Sequence, residues 1–218
     1  MAKATLSSML ESVHGKLGEF ALVQLKSGPV VRQRPRYKRP VSPAQRQGID
    51  RLKEATELWN TFTAAQAQAW NAYAATLTKT SPQTGESYSP IGFNAFTALA
   101  TKFRQMHPSS PLPTSPPVDP FVPDGATVSV QAGPGKVRFT AGVPNSAGTT
   151  TELLVQRLAN PRRKPSGAYK SMGFHAFAPG AMQADVPLEP GVYACAYRFA
   201  ESATGRTSVL ITLGIVLV

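Results

Sequence analysis

The sequence feature that most constrains the fold is a proline-rich segment at residues 106–123, which reads MHPSSPLPTSPPVDPFVP. Prolines at this density exclude a helix or a central strand, because proline lacks the backbone N–H and has a fixed φ. They favour an extended, semi-rigid polyproline II segment. We therefore expect a linker at 106–123 that joins two modules; a ligand for SH3 or WW domains at residues 113–116 is the alternative.

The region before this linker, residues 42–105, is predicted to form a helical module. Ser42-Pro43-Ala44-Gln45 is a capping box with proline at the first helical position, which predicts a helix over about 43–60. The same box recurs at 63–66 and starts a second helix, and Ser89-Pro90 starts a third that ends near 107. Apolar residues at helical spacing indicate a shared core. Its predicted structural residues are Trp59, Trp70 and Phe96.

Residues 1–41 have a different pattern. Apolar runs at 20–25 and 30–31 predict short strands around a turn at Gly28-Pro29. This segment is interpreted either as a β-hairpin or as an extended basic arm.

After the linker, the apolar residues recur with a period of two. Runs of strand length are separated by Gly, Pro, Asn and Ser, and they lie at 127–131, 136–140, 151–158, 181–186, 191–199 and 207–218. About seven short strands in roughly a hundred residues predict a β-sandwich over 124–218. The expected fold class is therefore α+β: an N-terminal basic arm or hairpin, about three helices, and a C-terminal all-β domain.

The chain carries a formal net charge of +11, which indicates an acidic partner, either nucleic acid or a protein surface. No acidic residue lies between Glu19 and Asp50, and alternating arginines in an extended segment can present guanidinium groups to carboxylate or phosphate. A solvated, mobile tail is the alternative for that segment, and surface solubility is the alternative for a second basic cluster. The predicted partner-binding residues are Arg32, Arg34, Arg36, Lys38, Arg39, Arg162, Arg163 and Lys164.

Residues suited to catalysis are few. The chain has three histidines, one cysteine and twelve acidic residues, with no metal-ligand spacing and no nucleophile context. We predict a non-enzymatic protein with no catalytic residues, no metal and no cofactor. The single Cys195 indicates a reducing cytoplasm during assembly, the N-terminus does not resemble a secretory signal, and the apolar run 208–218 is shorter than a membrane span.

Two resemblances to known families rest on short motifs. The run Leu188-Glu189-Pro190-Gly191-Val192-Tyr193 resembles the Leu-x-Pro-Gly-x-Tyr motif of fibronectin type III domains, which implies an immunoglobulin-like sandwich in which Tyr193 forms a corner hydrogen bond. The first hundred residues resemble small structural proteins of tailed bacteriophages and prophages, through Gly15-Lys16-Leu17-Gly18, the basic motif at 31–35, the box at 42–45 and Phe93-Asn94-Ala95-Phe96. Together they imply a virion component.

The leading hypothesis is a bacteriophage structural protein, either a head accessory or decoration protein or a connector or tail component. Its expected partners are capsid, portal or tail subunits, with no membrane, and it is expected to be oligomeric in the particle after assembly in the host cytoplasm. A protein that binds nucleic acid through the basic arm without reading sequence is the alternative. A weaker alternative is a carbohydrate-binding adsorption protein that uses loops around Tyr169, Phe174 and Phe177.

Overall fold

The computed structural model describes residues 2–3, 15–25, 28–33, 40–81 and 84–218. It has an α+β fold with three helices and several antiparallel sheets. The chain divides into two compact units, residues 1–95 and 96–218, and the division falls inside the third helix. The domain boundaries at 41, 105 and 123 stay a prediction.

The first unit begins with a small antiparallel sheet. Its strands are β1 (Ala2–Lys3), β2 (Gly15–Leu17), β3 (Phe20–Leu25) and β4 (Gly28–Gln33), in the order β1-β4-β3-β2. The predicted turn at Gly28-Pro29 is wrong, because both residues are in β4 and pair with Leu25 and Gln24 of β3. Proline is acceptable at the start of a strand, where its missing N–H costs little.

Two helices follow, and both begin where their capping boxes predict. Helix α1 (Pro43–Trp59) is capped by Ser42, and helix α2 (Ala64–Ala75) is capped by Thr63; in each box the glutamine at the third helical position bonds back to the cap. Trp70 is almost fully buried and Trp59 is half-buried, with its ring 5.3 Å from that of Phe62. Strands β5 (Lys79–Thr80) and β6 (Ser87–Tyr88) form a short hairpin before α3 (Gly92–Met106).

The second unit contains two antiparallel sheets. Strands β7 (Val128–Gly133), β8 (Lys136–Ala141) and β11 (Gln183–Pro187) form one sheet in the order β11-β8-β7. Strands β9 (Thr149–Leu158), β10 (Lys170–His175), β12 (Val192–Glu201) and β13 (Ile211–Leu217) form the other, in the order β10-β9-β12-β13. Both sheets contribute to one buried core that includes Val137, Phe139, Val155, Cys195 and Phe199.

The outer face of the four-stranded sheet is in contact with α3. Glu152 of β9 is fully buried there, and its carboxylate accepts hydrogen bonds from Lys102 Nζ at 2.8 Å and Arg198 Nε at 2.6 Å. The backbone of α3 comes so close to Gly205 that a Cβ on that glycine would lie 2.4 Å from the carbonyl oxygen of Leu99. Helix α3 therefore adds a third layer to the second unit.

The proline-rich segment also contacts the second unit. Arg104 at the end of α3 donates to the carbonyl oxygens of His107, Pro108 and Ser110, which fixes the start of the segment. Leu112 is 8% exposed, and the guanidinium of Arg206 bonds to the carbonyl oxygen of Asp119. The proline-rich segment is thus held against the rest of the second unit by hydrogen bonds from arginine side chains to its carbonyl oxygens.

Candidate binding surface on the second unit

The basic residues predicted at 162–164 lie in the loop between β9 and β10. Residues 159–168 are all exposed. The side chain of Asn160 accepts a hydrogen bond from the backbone N–H of Arg162 at 3.1 Å, and its carbonyl accepts from the N–H of Arg163 at 3.2 Å. This turn, with Pro161 at its second position, projects Arg162, Arg163 and Lys164 into solvent. We call residues 159–168 the basic loop.

The basic loop has no acidic counterpart within the described part of the chain. No carboxylate there lies within 4.0 Å of the cationic groups of Arg162, Arg163 or Lys164, although other arginines of the same unit are paired. Three adjacent cations without a counter-ion produce a positive potential that attracts an acidic group.

The second half of the basic loop folds back over the sheet. Gln156 of β9 donates from Nε2 to the hydroxyl of Ser166 at 2.7 Å, and the positive φ of Gly167, 82°, turns the chain toward β10. Without a Cβ, glycine adopts this conformation at little cost. The loop is thereby attached to the outer face of the four-stranded sheet.

A groove of about 440 Å³ lies between the basic loop and strand β13. Burial raises the pKa of Tyr169, so its phenol stays a neutral hydrogen-bond donor at physiological pH. A mostly apolar groove beside a cluster of cations suits a segment that carries both apolar and acidic side chains. The groove is lined by Pro165, Gly167, Tyr169, Leu210, Thr212, Gly214 and Ile215.

Strand β13 forms one edge of the sheet. Gly191 and Val218 exchange both backbone hydrogen bonds at 3.0 Å, which sets the phase of the β12–β13 ladder. Because antiparallel pairs alternate between bonded and non-bonded, the N–H and C=O groups of Ile215 and Leu217 point away from β12. Strand β13 approaches β7 of the other sheet, but in the described residues its only ladder partner is β12.

The edge strand also exposes apolar side chains. Ile215 is 40% exposed and Leu217 is 69% exposed, while the alternate residues Val216 and Val218 pack against the core. An edge with free backbone groups and exposed apolar side chains is a site for pairing with another chain. Sequence reasoning identified this run as a strand but missed its edge position. No local signal marks the edge, because a largely apolar run is also typical of a strand that is covered on both faces.

The predicted basic arm is described only in part. Arg32 lies in β4 and is exposed. Arg34, Arg36, Lys38 and Arg39 lie outside the described residues. Arg32 and the basic loop belong to different units.

Most of the other predicted residues are buried or take part in packing contacts. Phe96 is 1% exposed, and Tyr193, 5% exposed, donates from its hydroxyl to the carbonyl oxygen of Glu189 at 3.0 Å. Of the three aromatics considered for glycan stacking, Phe177 is 2% exposed within the core, and the ring of Phe174 lies 5.3 Å from Lys102 Nζ. Tyr169 lines the groove beside the basic loop.

Three groups of the described part of the chain with possible chemical roles, Asp124, Cys195 and Glu201, are engaged or buried. A cavity of about 630 Å³ is lined by Asp124 and Glu201, but Asp124 accepts bonds from Asn145 and Ser146, and Glu201 is paired with Arg206. Burial raises the pKa of the Cys195 thiol to about 11, which keeps it protonated. Within the described ranges, no group of three or more His, Cys, Asp and Glu side chains is placed to hold a metal ion.

The comparisons with known proteins add no family. The sequence matches no protein-family model and no curated protein. Across the residues with described structure, no helix has the length and apolar character needed to cross a membrane.

Proposed function

We propose that this chain is a structural protein of a bacteriophage virion that binds an acidic surface of neighbouring subunits. The observation that carries the proposal is the basic loop, where Arg162, Arg163 and Lys164 are exposed beside an apolar groove and have no carboxylate partner among the described residues. Cations beside an apolar groove are complementary to a protein segment with acidic and apolar side chains. The resemblance of the N-terminal module to phage structural proteins suggests that the partner is a capsid, portal or tail subunit.

The finer fold assignment belongs to the same proposal. We assign residues 124–218 to the immunoglobulin or fibronectin type III kind of sandwich. Seven antiparallel strands divided into sheets of four and three support this assignment. The hydrogen bond from the Tyr193 hydroxyl to a carbonyl four residues upstream supports it as well, because a tyrosine corner has this geometry.

In the proposed mechanism the protein acts by binding and catalyses no reaction. Each copy contributes a small contact area, and many copies on a regular lattice gain affinity from avidity. Copies assemble in the host cytoplasm and become part of the particle.

Co-sedimentation with virus particles tests the proposal. The purified protein is mixed with empty particles, DNA-filled particles and free DNA over a salt series. We expect binding to both kinds of particle at moderate salt, and a clear loss for the variant R162Q/R163Q/K164Q. The control variant R46Q/K53Q/K79Q loses three exposed cations from the first unit and should bind as the wild type does.

Binding to free DNA alone would contradict the proposal. Affinity that falls steeply with salt, and that is absent for empty particles, would indicate contact with phosphates and favour nucleic-acid binding. Absence of the protein from purified virions by mass spectrometry would also overturn it.

A further inference from the structure

We infer that the open edge of β13 receives an extended, acidic segment of a partner protein, which adds to the sheet as a fifth strand beside the basic loop. This inference deepens the proposed function and rests on it for the identity of the partner. It commits to a mode of recognition in which backbone hydrogen bonds give affinity and alternate side chains give specificity.

The backbone of the β13 edge has the geometry that an added strand needs. The outward N–H and C=O groups of Ile215 and Leu217 are two residues apart, which is the repeat at which an antiparallel strand forms its bonded pairs. No backbone hydrogen bond joins these groups to any residue in the described part of the chain. An incoming strand would satisfy them about 4.8 Å from β13.

The exposed side chains at the β13 edge lie on the same face of the sheet as the basic loop. Ile215 is opposite Ala194 in the β12–β13 register, so both side chains are on the outer face of the sheet, the face over which the basic loop folds. Alternate side chains of an added strand would lie on that same face, next to Ile215 and Leu217. Lys164 directly precedes Pro165, which lines the same groove as Ile215, so the basic loop places a cation near the position of the added strand.

Charge selects the occupant. If two copies paired through β13, their outer faces would form one continuous surface, and the two basic loops would lie on the same face of the joined sheet. Their six cations would repel one another, since none has a carboxylate partner among the described residues. A strand with glutamate or aspartate on its outer face replaces that repulsion with attraction.

A peptide experiment on the intact protein tests this inference without virus particles. The probe is a capped heptapeptide of alternating glutamate and valine. Amide hydrogen exchange followed by NMR should show slower exchange at Ile215 and Leu217 when the peptide is added, with little change at Val216, whose N–H already bonds to β12. A lysine–valine peptide should bind at least about tenfold more weakly, which corresponds to ~1.4 kcal/mol.

Two matched variants separate the edge from its side chain. Leu217→Pro removes the outward N–H and should reduce peptide affinity at least about tenfold, while Leu217→Ala keeps the N–H and should bind within a few-fold of the wild type. Thermal unfolding of both variants shows that they are folded. The variant R162Q/R163Q/K164Q should lose the preference for the acidic peptide over the basic one.

Three outcomes would overturn the inference. They are unchanged exchange at Ile215 and Leu217 at millimolar acidic peptide, protection that grows with protein concentration in the absence of peptide, and equal affinity for the two peptides. The second outcome would assign the edge to another copy of the chain. Peptide addition to β13 without co-sedimentation with particles would leave this inference standing and overturn the virion proposal. Co-sedimentation without peptide addition would leave the virion proposal standing and overturn this inference.

Discussion

Glu152 is a charged residue in a strand whose neighbouring side chains are buried. Its carboxylate is fully buried, and the side chains of Lys102 and Arg198 that bond to it are 16% and 27% exposed. Burial raises its pKa, but the hydrogen bonds from Arg198 and Lys102 outweigh burial, so the net pKa is lowered. The carboxylate is therefore ionised in the folded protein and holds α3 to the sheet.

Replacing this carboxylate should destabilise the second unit strongly. We expect Glu152→Gln to lower the free energy of unfolding by roughly 2–4 kcal/mol, because two cations lose their shared partner at a buried site. Both tryptophans lie in the first unit, so hydrogen exchange in β9 and β12 is the appropriate measurement for the second. Glu57→Gln, which removes an exposed pair with Lys53, should change stability by less than about 0.5 kcal/mol. Equal effects of the two substitutions would contradict this account.

The role of Glu152 could not be predicted from the sequence. Its partners are 50 and 46 residues away, and only the contact of α3 with the sheet brings Lys102 to it. The hydrogen bond of Tyr193, in contrast, is local in the sequence. It spans four residues within one motif, so a local pattern was enough to suggest it.

At the scale of elements, the contact between α3 and the β12–β13 connection depends on a glycine. Gly205 has a φ of 81°, and a Cβ there would lie 2.4 Å from the carbonyl oxygen of Leu99 and 2.9 Å from the backbone nitrogen of Phe103. Gly180 has nearly the same φ, 83°, but open space around it. The two glycines share the backbone requirement and differ only in the approach of the helix.

Alanine variants of these two glycines together measure the cost in stability of a Cβ that meets the backbone of α3. Both Gly205→Ala and Gly180→Ala should cost about 1–2 kcal/mol from left-handed backbone strain. Gly205→Ala should cost roughly 1–3 kcal/mol more, since the backbone of α3 must move. Urea unfolding and hydrogen exchange at Leu99 and Phe103 measure the difference. Similar values for the two variants would mean that α3 is not held at this point.

Local signals explain which elements were predictable. Both capping boxes gave helix starts that the structure confirms, because a cap involves only four consecutive residues. Strand β10 was missed, since Lys170–His175 is short, contains Gly173 and Ser171, and has a register shift against β9. The apolar stripe of α1 was expected to be core, yet Ile49 and Leu52 are 53% and 48% exposed, and Ala55 is the buried residue of that helix. Periodicity gives the face of a helix but not how much of it is covered.

For the whole molecule, charge sets the dependence of stability on pH. The net charge of +11 increases as carboxylates bind protons, and four carboxyl groups of the second unit have lowered pKa values. For Asp185 the cause is hydrogen bonding from Arg138 and Lys136; for the others, hydrogen bonds outweigh burial. The four groups are Asp124, Glu152, Asp185 and Glu201.

The sign of the effect follows from these directions. A carboxyl group with a lowered pKa in the folded state contributes stability that is complete above the pKa of the unfolded chain, about 4. That stability is lost as the pH falls through the folded pKa, because the unfolded chain binds its protons first. We therefore expect the unfolding free energy of the second unit to be nearly constant from about pH 6 to 8 and to fall steadily below about pH 4.5.

Urea unfolding at a series of pH values, with hydrogen exchange in β9 and β12 as the readout, tests this expectation. Glu152→Gln should be less stable at neutral pH and should lose less on acidification, so the two curves converge at low pH. Added salt should restore part of the stability of both proteins below pH 4, because it screens the repulsion among the excess cations. Salt should leave the gap at neutral pH largely intact, since a buried ion pair is poorly screened. Parallel curves for the two proteins would show that Glu152 does not contribute to the acid response.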